Sequence, residues 1–77
     1  PTEQSMISRE TAQTVLTTID ALPFRQRTAL IQRQFEGLEY AAIAANLACS
    51  PESARAHVYQ ALRKLRVALA ADHQPAE

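Results

Sequence analysis

Ala12, Val15, Leu16, Ile19 and Leu22 recur at the i, i+3, i+4, i+7 spacing of one helix face, which predicts an amphipathic first helix with Ser8 as its N-cap. Pro23 interrupts this pattern and restarts it, because proline fits the first turn of a helix but not its interior. A second helix is expected to run to about Phe35, burying Leu30, Ile31 and Phe35. Gly37, the single glycine, supplies a left-handed cap without steric penalty. A short third helix follows from about Glu39 to Leu47, with Tyr40, Ile43, Ala44 and Leu47 on one side. Ala48 and Cys49 make a tight connection. Ser50-Pro51-Glu52 then reads as an N-cap, a first-turn proline and a carboxylate near the positive end of the helix dipole. The fourth helix is long and reaches about Ala71.

Residues 1–7 are polar and carry no apolar period, so they are expected to be a flexible N-terminal segment or linker remnant. Residues 72–77 read as a flexible tail, which leaves 8–71 as one helix-turn-helix domain. A short helix, a connection of about three residues and a longer, well-capped helix is the pattern whose second member enters a DNA major groove. Two antiparallel helices with no DNA role give the same signature.

Seventy-seven residues suit one small domain with a modest core, roughly 60% of the surface its unfolded chain exposes. Apolar residues make up 47% of the chain, yet aromatics contribute only two Tyr and two Phe, so Ala, Leu, Ile and Val must build that core. High helix propensity and a lack of hairpin-turn material point to an all-α, four-helix domain with a long C-terminal recognition helix. The chain starts Pro1-Thr2 and not with Met, from which a fragment of a longer protein is expected.

Formal net charge is zero, whereas nucleic-acid binders usually carry a basic excess. The distribution changes that picture. Residues 23–35 hold Arg25, Arg27 and Arg33 without an acid, and residues 51–66 hold Arg55, Arg63, Lys64 and Arg66 against Glu52 alone, so a basic face is available if these stretches share a side.

Catalytic and metal chemistry find no foothold. His57 and His73 stand apart from any Cys or carboxylate in metal-ligand spacing, so a surface histidine is the expected state of each. Cys49 is the single cysteine, lacks any sign of an activating base, and reads as a small packed thiol in a reducing cytoplasm. With one glycine there is no phosphate loop. No enzyme activity, cofactor or metal is expected, and no apolar run approaches the ~20 residues of a membrane span.

On a helical wheel, Ala54, Val58, Ala61, Leu62, Leu65 and Leu69 gather on one side of the fourth helix as core. The opposite arc presents Glu52, Ser53, Ala56, Tyr59, Gln60 and Arg63, flanked by Arg55 and Arg66 on one edge and by His57 and Lys64 on the other. Arg pairs with guanine acceptors, Gln can pair bidentately with adenine, and Ser and Lys reach phosphate oxygens. Any solvated amphipathic helix shows a comparable face.

Ala21-Leu22-Pro23, Arg25, Gln26-Arg27, Phe35-Glu36-Gly37-Leu38, Tyr40, Ile43-Ala44, Leu47, Cys49-Ser50 and Ala61-Leu62-Arg63-Lys64-Leu65-Arg66, in that order and spacing, resemble region four of the extracytoplasmic-function sigma factors. The resemblance spans about residues 12–69. It implies a four-helix domain whose last helix reads the promoter's minus-thirty-five element as part of a sigma factor bound to RNA polymerase. A second surface would dock on the flap of the polymerase beta subunit, and an anti-sigma factor would cover the domain. By position it assigns DNA contact to Arg55, Ala56, Tyr59 and Gln60, with Glu52 and Ser53 at the entrance; Arg63 joins them from the helical arc. A monomeric domain is expected.

The chain also departs from that pattern. The family usually has a small polar residue where Ala56 stands and basic residues where His57 and Gln60 stand, which lowers expected phosphate affinity. Glu39 replaces the usual Ser and caps the third helix more weakly, and Ala48 stands where Gly is common. The thinned basic face motivates an alternative, a sigma-like docking module that binds an anti-sigma factor without reading DNA. A dimeric regulator of the response-regulator effector type shares the four-helix pattern as well.

Overall fold

The structure, a computed structural model, describes residues 8–72; the expected flexible segment 1–7 and residues 73–77 of the expected tail 72–77 lie outside the described residues, while Asp72 is the last residue of a helix. Four helices follow one another: α1 (Arg9–Ala21), α2 (Phe24–Gln34), α3 (Tyr40–Leu47) and α4 (Pro51–Asp72). No strand occurs among the described residues, and the all-α expectation holds.

Each boundary has a local cause. The Ser8 hydroxyl accepts from Thr11 N at 3.1 Å and satisfies one of the free amides that open α1. Leu22 adopts an extended conformation after α1, and Pro23 becomes the N-cap of α2, which leaves that helix without a side-chain cap. At the other end of α2, Gly37 takes φ +70, while Leu38 N donates to Gln32 O at 3.0 Å and so satisfies one of the last carbonyls. Glu39 stands at the N-cap of α3 but makes no side-chain cap hydrogen bond, in keeping with the loss of the usual hydroxyl there.

Helix α4 is the spine against which α1, α2 and α3 all pack, and α2 also packs on α3. One buried cluster joins Ala29 of α2, Ile43, Ala44 and Leu47 of α3, and Ala54 and Val58 of α4. A second joins Leu22, Leu30 and Ala61, and the half-buried Leu62 packs against both. Buried alanines at 29, 44, 54 and 61 let helix backbones approach closely, while Leu30, Ile43 and Val58 supply the largest fully buried side chains. Each of those three contributes roughly 1.5–3 kcal/mol of burial.

The apolar faces of α1 and α2 are wider than the surfaces that cover them. Ala12, Val15 and Ile19 are half-buried as the spacing predicts, but Leu16 is 63% exposed because α1 packs chiefly along one neighbour, α4. Phe35, expected in the core, is 72% exposed, and Ile31 is only half-buried. Both residues share a side of α2 with Phe24, opposite Ala29 and Leu30, which face the bundle.

Candidate nucleic-acid interface

The turn between α3 and α4 aims the recognition helix. Ala48 sits in the left-handed region at φ 55, ψ 48, and its amide reaches the carbonyls of Ala44 and Ala45 at the end of α3. The Cys49 amide also donates to Ala44 O, at 3.0 Å. This geometry belongs to glycine by preference, so an alanine here stores on the order of 1 kcal/mol. Ser50 then opens α4: its Oγ accepts from Ser53 N at 3.0 Å, and its hydroxyl donates to Ser53 Oγ at 3.1 Å. Ser53, half-buried, keeps its own hydroxyl hydrogen for an acceptor outside the protein.

Beyond this entrance the expected arc is present on one side of α4. Glu52, Arg55, Ala56, Tyr59, Gln60 and Arg63 are all exposed, opposite the buried Ala54, Val58 and Ala61. Tyr59 is 52% exposed. The guanidinium of Arg55 lies over the Tyr59 ring, 5.0 Å from its centroid, and Nη2 donates to the Tyr59 hydroxyl at 3.1 Å. That hydrogen bond, helped by electrostatic attraction to the same side chain, raises the Arg55 pKa above its ordinary value, and the positive charge is permanent.

Gln60 and Lys64 meet a residue of α2 across a groove. Lys64 Nζ donates to Gln26 Oε1 at 3.0 Å, and Gln26 Nε2 donates to Gln60 Oε1 at 3.0 Å. The groove is lined by Gln26, Gln60, Arg63, Lys64, Val67 and Ala68. The oxygen of Gln60 is thus held toward α2, with one of its two lone pairs taken.

The basic face is narrower than the charge distribution suggests. Three α2 arginines are tied to backbone carbonyls: Arg25 Nη1 on Leu47 O at 2.8 Å, Arg27 Nη1 on Asp20 O at 2.9 Å, and Arg33 Nη1 on Leu38 O at 2.9 Å. Arg33 also stacks on Tyr40, 4.3 Å from the ring centroid. These cations tie helix ends and a loop together, so their guanidinium groups are held close to α2, while Arg55 and Arg63 project from the exposed face of α4. Arg25 has a particular place, since it closes the last turn of α3 where the chain swings into α4. The periodicity of α2 gives no sign of these roles, because each partner lies in another element or in a loop.

His57 is half-buried, not a surface side chain, and its Nδ1 is enclosed without a hydrogen-bond partner among the described residues. Cys49 is a half-buried free thiol packed against the α2–α3–α4 cluster, as expected of a small core residue. No group of three or more His, Cys, Asp or Glu among the described residues is arranged to hold a metal ion.

A short helix, a tight turn and a longer, well-capped helix make the helix-turn-helix arrangement. The sequence profile of the family described as "Sigma-70, region 4" matches residues 12–65, from α1 into the second half of α4. The chain belongs to the sigma-70 region 4 family. It is 39% identical over 67 residues to the RNA polymerase sigma-H factor of Pseudomonas aeruginosa, covering 87% of this chain and 35% of that protein. It is 37% identical over 59 residues to the proteins named ECF RNA polymerase sigma-E factor in Escherichia coli and Salmonella typhimurium, covering 77% of this chain and 31% of each relative. The chain spans about a third of the length of the curated relatives it matches. In this region 4 domain the matched segment holds all of the buried hydrophobic core found among the described residues. No helix among the described residues is long and apolar enough to cross a membrane.

Proposed function

We propose that this domain recognises the minus-thirty-five element of promoters, as region four of an extracytoplasmic-function sigma factor bound to RNA polymerase. Helix α4 enters the major groove from its Ser50-capped end. Arg55, Ala56, Tyr59, Gln60 and Arg63 meet bases and adjacent phosphates, with Glu52 and Ser53 at the entrance. The observation that carries the reading is the Arg55–Tyr59 pair: a long, flexible cation is already held in one direction on the exposed face of a helix that the turn projects outward. Ordering such a side chain before binding removes much of the entropy that contact with a base otherwise costs.

Polymerase docks on the other side. Phe24 and Phe35, 65% and 72% exposed, share the outer face of α2 with Ile31 and form an apolar stripe away from the α4 arc. This stripe suits the polymerase beta flap, which the family likeness implies as partner, and an anti-sigma factor competes by covering the same domain. The domain works in the cytoplasm as a monomeric module and catalyses nothing by itself.

Binding of fluorescent duplexes tests the reading. A promoter-like duplex is expected to bind more tightly than its scrambled counterpart, and Arg55→Ala is expected to erase most of the difference while leaving scrambled binding nearly intact. Equal affinity for both duplexes in the unsubstituted chain would overturn it.

A further inference from the structure

The hydrogen-bond chain across the α2–α4 groove can run in only one direction. Lys64 Nζ carries donors and no acceptor, so the atom of Gln26 that lies 3.0 Å from it must be the oxygen. Reversing that amide would set two donors against each other. Gln26 Nε2 is therefore the end that faces Gln60, and the atom of Gln60 it meets, 3.0 Å away, must accept. One of the two lone pairs of the Gln60 oxygen is thereby taken and that oxygen is held toward α2, which leaves the amino group as the less engaged edge of Gln60. A lysine at one end thus fixes the polarity of two side chains that each have no preferred orientation of their own. The chain also polarises each amide in the sense that strengthens the last donor.

We propose that Gln26, a residue of α2 outside the recognition helix, sets the base that Gln60 selects: with its oxygen held toward α2 and its amino group the less engaged edge, Gln60 prefers guanine to adenine. This rests on the promoter-reading function above and deepens it. In the major groove guanine presents two acceptors, N7 and O6, whereas adenine presents the N7 acceptor beside the N6 amino donor. A free glutamine matches adenine with its oxygen and amino group together. With its oxygen held toward Gln26, the Gln60 amide must turn away from that contact to bring oxygen and amino group together onto adenine, whereas its amino group can meet the acceptors of guanine as it stands. Gln26 and Lys64 are positioning residues, and Gln60 is the contact.

The test reads base preference and not affinity. The full chain is bound to a duplex library randomised across one helical turn, and the bound fraction is sequenced. The base pair facing Gln60 is the one whose preference Gln60→Ala erases. There the unsubstituted chain is expected to favour guanine over adenine by on the order of tenfold. Gln26→Glu supplies a carboxylate that accepts from Lys64 and from the Gln60 amino group, which reverses Gln60 and turns its oxygen outward. The preference at that one position should then move to a base with an amino donor, adenine or cytosine. Lys64→Met, on an exposed side chain, removes the anchor of polarity and should flatten the guanine preference toward adenine even if Gln26→Glu fails to fold. A purely structural role for Gln26 or Lys64 would alter affinity on all sequences and leave the ratio unmoved. If sequence-specific binding persists with an unchanged ratio in both variants, or Gln60→Ala erases no base preference, this proposal is overturned while promoter reading stands. Should the unsubstituted chain bind every duplex equally, both fall together.

Discussion

Arg55 donates to the hydroxyl of Tyr59, one helical turn further along α4, and lies over its ring, so one side chain aims the other. The pair is an i, i+4 neighbour relation on the helix surface, the spacing at which side chains meet. The hydrogen bond raises the pKa of an arginine that is charged at any working pH in any case, so it serves to aim Arg55 and not to keep it charged.

Two substitutions at Tyr59 separate the stack from the hydrogen bond. Tyr59→Ala removes both restraints and is expected to weaken discrimination at the base facing Arg55 by roughly tenfold. Tyr59→Phe retains the ring and should lose much less. Competition binding with single-base-pair variants of a preferred duplex measures this; equal losses in the two variants would show that the ring contributes nothing.

The two left-handed positions give effects of opposite sign. Ala48→Gly relieves the turn before α4 and is expected to stabilise the domain by about 1 kcal/mol, which raises the melting temperature by roughly 4–8 °C in a domain this small. Gly37→Ala is expected to cost about 1 kcal/mol through its backbone alone. A Cβ at Gly37 would meet nothing within 4 Å, so crowding adds no further penalty. Thermal unfolding followed by circular dichroism decides both, and a destabilised Ala48→Gly variant would contradict the strain assigned to the turn.

Arginines with different duties should fail in different ways. Arg25→Ala leaves Leu47 O without its charged donor and is expected to cost roughly 1 kcal/mol of stability, discounted because the arginine is largely exposed. Arg63→Ala should leave stability within about 0.5 kcal/mol and reduce the salt dependence of DNA binding by about one phosphate contact. Denaturation curves and binding across a salt series distinguish them, and an unchanged salt slope for Arg63→Ala would remove it from the interface.

The apolar stripe on α2 predicts a loss of partner binding without a loss of fold. Phe24→Ser with Phe35→Ser should leave unfolding nearly unchanged, since both rings are mostly exposed. The same variant should bind core RNA polymerase much more weakly in a direct titration. Unchanged polymerase binding would place the docking surface elsewhere.

Much of this architecture was legible in the sequence, and the residues that escaped it share a physical reason. Local signals did well: Ser8 and Ser50 cap their helices, Gly37 turns left-handed, and Ala54, Val58 and Ala61 line one face because helical periodicity reports which side is buried. Leu16 and Phe35 were misplaced because periodicity gives the width of an apolar face but not how much of it a neighbour covers. The carbonyl contacts of Arg25, Arg27 and Arg33 were equally hidden, since a charge count does not say which backbone oxygen a guanidinium meets. Gln26 reaches Gln60 and Lys64 across a groove between α2 and α4, and no local pattern encodes such a partner. On α4 itself the seven proposed contact residues do lie along one side, with Ser53 half-buried, because a single regular helix carries them all.

Backbone amide NMR of the domain, titrated with a promoter-like duplex and its scrambled counterpart at low salt, tests the central claim most directly. It detects the weak association expected of a single module with a thin basic face. The account predicts sequence-dependent shifts concentrated between Ser50 and Arg66, with the Arg55 and Gln60 signals responding only to the promoter-like duplex. Identical shifts with both duplexes, or none at millimolar DNA, would contradict it.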